Sequence, residues 1–131
     1  MGTRCYICKQ LDDNRVRGIY CHFDGMLGRV GRKLLANYSD EMKIDELLDL
    51  GAIVSLGNSP AMEDGTEAYI RDRHSDANVY SAFIRPCGHE IESGSDIEYV
   101  YLWRNGGWYC AVLRDGNKSY EWLPNIVGCD L

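Results

Sequence analysis

At 131 residues the chain is the size of one domain and is long enough to bury a core without disulfide staples. An apolar fraction of 45% and a charged fraction of 26% exclude a disordered or fibrous chain. A net charge of −6, from 20 acidic and 14 basic residues, argues against direct nucleic-acid binding, which needs Lys and Arg to neutralise phosphates.

Residues 4–9 (RCYICK) alternate as a short strand. Leu11-Asp12-Asp13-Asn14 supplies turn residues. Residues 15–23 (RVRGIYCHF) form a second strand and complete a hairpin, with Ile19, Cys21 and Phe23 on one face and Tyr20, His22 and Asp24 on the other. Asp24 fits as the N-cap of a helix that carries Leu27, Val30, Leu34 and Tyr38 at helical spacing, weakened by Gly28 and Gly31. Ser39 or Asp40 caps a second helix, DEMKIDELLDL. Asp40 and Glu41 suit its positive end, Ile44, Leu47 and Leu48 form its apolar stripe, and Gly51 stops it.

Further strands are expected over 52–56, 66–70 and 78–84, with a loop from Gly57 to Gly65 and another over PCGHEIESGS. The last third is the clearest β region. DIEYVYLW, an Arg104-Asn105-Gly106-Gly107 turn, WYCAVL, a second turn at Asp115-Gly116-Asn117 and SYEWL read as an antiparallel meander. No repeat or linker divides the chain, so a single domain over 1–131 is expected. Segregated strands and helices predict an α+β fold: an antiparallel sheet of about five to six strands, of open strand order, with two helices packed on one face.

No apolar run approaches the roughly 20 residues that span a bilayer, the N-terminus lacks the apolar stretch of an export signal, and Tyr6 sits where a myristoylation signal wants Ser or Thr. A cytoplasmic protein with no membrane association is expected. Its six cysteines then stay reduced, and those inside apolar strands act as small hydrophobes.

Candidate chemistry is sparse. Cys5-x-x-Cys8 with Cys87-Gly88-His89 has soft ligands for zinc, but residues three apart on a strand point to opposite faces, so both thiols could not easily reach one ion; no metal and no cofactor is predicted, and a zinc-stabilised structural module stands as a third reading. Tyr20, His22 and Asp24 place an imidazole and a carboxylate at a strand-to-helix junction, where binding groups often lie; a plain helix cap is the simpler reading of Asp24. Arg71 and Arg73 could clamp a phosphate or carboxylate. Cys21 and His22 are adjacent on a strand, so they are no catalytic dyad. The glycines over 25–31 match neither a phosphate loop nor a dinucleotide motif. The aromatics at 99, 101, 103, 108, 109, 120 and 122 are dense enough to offer a partner surface, with Tyr101, Trp103 and Trp108 as its expected members.

GIYCHFDG, then LLANYSD, then KIDELLDLGAIVSLG, and a late EYVYLW followed by WY, resemble a group of small proteins carried by phages, prophages and mobile elements. The likeness covers most of residues 4–57 and resumes near 98–109. It transfers no catalytic residue to His22 or Asp24. What it implies is a setting: small accessory proteins of this kind often inhibit host defence, as anti-CRISPR proteins do, by occupying a surface. The expected function is therefore inhibition or modulation of a host protein, such as a defence nuclease, through an aromatic, acidic surface. The alternative is a small ligand-binding or hydrolytic module using His22, Asp24, Arg71 and Arg73; an enzyme is the less favoured reading. Open sheet edges are compatible with a homodimer.

Overall fold

The structure, a computed structural model, describes residues 3–12, 15–51, 53–68, 78–81, 97–113 and 120–127. The first hairpin forms as its alternation predicts: β1 (Arg4–Asp12) pairs antiparallel with β2 (Arg15–Cys21). The chain then makes a wide π turn over Leu27–Gly31 and enters α1 (Arg32–Asn37), so the expected helix begins later than Asp24. Leu27, Val30, Leu34 and Tyr38 are all buried, as their spacing requires.

The second helix, α2 (Glu41–Leu48), starts where its cap stands. The Met42 amide donates to the Asp40 carboxylate at 3.1 Å, satisfying one of the amides that a first turn leaves open. Ile44, Leu47 and Leu48 are fully buried, and Gly51 follows with φ of 76°, the left-handed geometry that ends helices.

β3 (Ile53–Ser55), a single 3₁₀ turn at Met62–Asp64, and β4 (Glu67–Ala68) come next. The loop between β3 and β4 is tied down by the buried Thr66, whose hydroxyl accepts from the Gly57 amide at 2.8 Å and donates to the Ser59 carbonyl at 2.6 Å. β5 (Asn78–Ser81), β6 (Ile97–Arg104), β7 (Gly107–Val112), β8 (Glu121–Trp122) and the short helix α3 (Leu123–Ile126) complete the described chain. Asn105 and Gly106 turn β6 into β7 with φ of 52° and 78°. Positive φ at both central residues defines the hairpin turn that Asn-Gly favours.

The strand order is β4-β3-β2-β1-β6-β7-β8, with β5 also paired to β2. β4 and β8 are two-residue pieces; the other six strands are three residues or longer. The α+β class stands, but the sheet is mixed, which corrects the expected antiparallel sheet. β1 runs parallel to β6, and β2 runs parallel to β3. The second join has a local cause: the segment between β2 and β3 holds the helices, so it crosses over the sheet and returns in the same direction. The first is non-local. β1 lies between β2 and β6, and its Cys5, Ile7 and Cys8 are buried on both faces of the sheet, which suits a central strand.

Both main helices pack on one face, as predicted. There Cys5, Ile7, Ile19, Cys21, Tyr99, Tyr101, Trp103, Trp108 and Cys110 meet Leu34 of α1 and Ile44, Leu47 and Leu48 of α2 in one core. Ion pairs at its edge dock α2 on the hairpin: Lys9 with Asp45 at 2.8 Å, and Arg17 with Asp49. No helix among the described residues is long and apolar enough to cross a membrane.

Candidate functional site

The sheet's other face is different in kind. Cys8, Val16, Ile97, Val100 and Leu102 are buried there, and Tyr6, Tyr20, Tyr109, Leu113 and Tyr120 pack around them half-buried. The buried side chains of α1, α2 and α3 all belong to the helix-side core. Strand alternation places the second set on the face away from those helices.

One rim of this face is the strand-to-helix junction. β2 delivers Tyr20, and pairing continues past the strand because His22 N–H donates to the Ile53 carbonyl at 3.1 Å and Phe23 N–H to the Val54 carbonyl at 2.9 Å. The rings then run edge to face in series: Tyr6 to Tyr20 at 6.1 Å, Tyr20 to His22 at 5.9 Å, His22 to Phe23 at 4.3 Å. Such T-shaped pairs set the positive edge of one ring against the negative face of the next. Tyr20 Oη lies 3.2 Å from His22 Nδ1, so the near hydrogen-bond partner of the imidazole is a phenol. Phe23 is 40% exposed at the end of the series.

Asp24 behaves otherwise than expected. Its backbone is left-handed, with φ of 62°, and its carbonyl accepts from Val30 N–H at 3.2 Å. The cap position of the π turn is Met26, which makes no side-chain cap bond. Asp24 is therefore a bend residue, exposed to solvent, and neither the helix cap nor the shown partner of His22. Asx residues tolerate this conformation better than other non-glycine residues, which is the physical reason for an Asp here.

The opposite rim is built by the meander. The Arg104 guanidinium lies 4.4 Å from the centroid of the Tyr109 ring and 5.7 Å from that of Tyr120. Trp122 packs edge to face on Tyr109 at 5.1 Å and is 41% exposed. Its ring occupies the space above Gly107, where an added Cβ would stand 2.3 Å from it, so only glycine admits this shelf.

Tyr101, Trp103 and Trp108, expected on a partner surface, are core residues instead. The Tyr101 hydroxyl donates to the Gly25 carbonyl at 2.6 Å, Trp108 Nε1 to the Tyr38 carbonyl at 2.8 Å, and Trp103 Nε1 to the Glu41 carboxylate at 3.3 Å. All three sit on the helix-covered parity of β6 and β7, where burial of large rings is worth most. Tyr109, Tyr120 and Trp122 belonged to the dense aromatic set but were not singled out from it, and Tyr6 and Arg104 were missed. Alternation separates the two sets, since Tyr109 follows Trp108 and must face the other way. Arg71 and Arg73 lie outside the described residues, as do Cys87 and His89.

The thiols among the described residues, Cys5, Cys8, Cys21 and Cys110, are all buried. Cys5 packs in the helix-side core and Cys8 in the opposite cluster, so the two cannot share one ion. Burial raises the Cys5 thiol well above its usual range, with a further push from Cys21, and raises Cys8 to about 12 and Cys110 as well. Protonated thiols are poor nucleophiles and poor ligands. Asp45 of α2 and Asp49 at its C-terminal end are used in docking the helix, while Glu46 and Met42 of the same helix are exposed, Met42 at 72%.

No family model, curated protein or solved structure matches the chain.

Proposed function

We propose that the chain is a small accessory binding protein of the phage type, which inhibits or modulates a host protein through the aromatic face of its sheet. The observation that carries this reading is the pair of aromatic rims, Tyr20–His22–Phe23 at one end and Arg104–Tyr109–Trp122 at the other, in which Phe23 and Trp122 are exposed and the rest half-buried. Tyr, Trp and Arg are enriched among the residues that carry most of the binding energy of protein interfaces; Tyr and Trp cover a large area with only two rotors to immobilise, and Arg offers a planar, pre-organised fork of donors. The net charge of −6 adds long-range steering towards a basic partner, such as a protein whose own ligand is nucleic acid.

The test is an affinity capture from bacterial lysate carrying active defence systems, with wild type and a Phe23→Ala/Trp122→Ala variant side by side, read by mass spectrometry. A stoichiometric host protein on the wild type, at least about tenfold depleted on the variant, is expected, since hot-spot truncations cost about 2 kcal/mol or more. Equal capture by both would place the contact elsewhere. Capture of no protein at all by the folded wild type would defeat the binding-protein reading.

A further inference from the structure

Two thiols face each other across the first hairpin. Cys5 and Cys21 are direct partners in the β1–β2 register, and both are free and fully buried. Directly opposed residues of an antiparallel pair have Cα atoms about 4.5 or 5.5 Å apart, according to the pair type. Both spacings fall inside the roughly 4.4–6.8 Å that a disulfide bridges. The other described cysteines fail this condition. Cys8 belongs to the cluster on the opposite face. Cys110 is on β7, with β6 between it and β1, which at roughly 4.8 Å per strand sets it about 10 Å from Cys5.

We infer that Cys5 and Cys21 are a redox modification site, two thiols that close into a cross-strand disulfide when a peroxide reaches the hairpin. The first thiol is oxidised to a sulfenic acid, cleaving the peroxide O–O bond and releasing one water. The second sulfur then displaces the sulfenic hydroxyl as another water, and the S–S bond forms. The peroxide accepts the two electrons, and the two thiol protons leave in the waters. A thiol such as glutathione reverses the step.

The bond has a consequence beyond the hairpin. The Cys21 thiol donates to the Phe23 carbonyl at 3.5 Å. Oxidation removes that proton and draws the sulfur towards Cys5, so the backbone of the exposed aromatic rim loses a tether. Just above, the Gly25 amide is bonded to the Thr3 carbonyl at 2.8 Å, and the Gly25 α-carbon rides close over Cys5. The junction thus senses the state of the sulfur pair. Because burial keeps the Cys5 thiol protonated at neutral pH, and the thiolate is the reacting form, the closure is slow and speeds up as pH rises.

The test exposes the folded protein to hydrogen peroxide at neutral and at mildly alkaline pH. Remaining thiols are alkylated under denaturing conditions, and the digest is mapped by mass spectrometry. The expected product is a peptide pair joined through Cys5 and Cys21, formed faster at the higher pH, reversed by dithiothreitol and absent from Cys5→Ser and Cys21→Ser. Amide exchange at 23–25 should rise in the joined form. Full alkylation of Cys5 and Cys21 after peroxide has consumed the other thiols would overturn the proposal, and so would Cys5 joined mainly to another cysteine. Unchanged exchange at 23–25 would overturn the coupling to the rim. The wild-type peptide map decides the matter even if a serine variant fails to fold.

Discussion

The two faces of the sheet share the same strands and differ in what covers them. On the helix side, Trp108 is buried and its indole N–H is bonded to the Tyr38 carbonyl, while Tyr101 reaches the Gly25 carbonyl. One residue further along the chain, Tyr109 sits on the other face, half-buried, with Arg104 on its ring and a 41%-exposed Trp122 at its edge. Neighbours in sequence therefore hold opposite jobs. Aromatic density alone says nothing about exposure; the parity of each ring relative to the helices decides it.

The sharpest way to break this comparison is to truncate one indole on each face. Trp108→Ala should cost about 3–5 kcal/mol of stability, the range for emptying a large aromatic site in a core, because it also strands the Tyr38 carbonyl. Trp122→Ala should cost about 1 kcal/mol, the typical effect of a partly exposed site. Urea unfolding measures both. Equal losses would make the aromatic face a second core and remove the case for a binding surface.

Alkaline unfolding probes both faces through groups that burial keeps protonated. Tyr38, beneath the helices, is raised from its ordinary 10.0 to about 12, and Cys8, on the far face, from 9.0 to about 12. A raised folded pKa means that the fold favours the neutral form. Stability from these groups is fully present below about pH 9 and is lost as pH climbs towards 12. The urea midpoint should fall through that window, and Tyr38→Phe should flatten part of the fall. A midpoint independent of pH there would contradict the burial of both groups.

Smaller effects sharpen the picture at the helix starts. Asp40→Ala should cost about 1 kcal/mol, the usual loss for a cap whose side chain holds a first-turn amide. Asp24→Gly should instead be neutral or stabilise by up to about 1 kcal/mol, because glycine enters the left-handed region without the Cβ penalty. A loss on Asp24→Gly comparable to that of Asp40→Ala would restore Asp24 as a cap. Partner capture by Asp24→Gly should match wild type, as the aromatic rim is untouched.

Local order was legible wherever near neighbours settle it. The β1–β2 hairpin, the Asp40 cap, the stripe of Ile44, Leu47 and Leu48, and the Asn105–Gly106 turn all depend on residues a few positions apart. Strand alternation likewise separated Cys5 from Cys8 and Tyr20 from Cys21. Tertiary structure alone decided three things. It set β1 parallel to β6, a pairing across some 90 positions that no local pattern encodes. It assigned the helices to the parity of Tyr101, Trp103 and Trp108, turning the expected surface into core. It bent the chain at Asp24 before the helix began, leaving an exposed carboxylate where a cap was expected. Alternation defines two faces of a strand, but which face is covered depends on elements far away in sequence, so that choice is made only when the sheet and the helices meet.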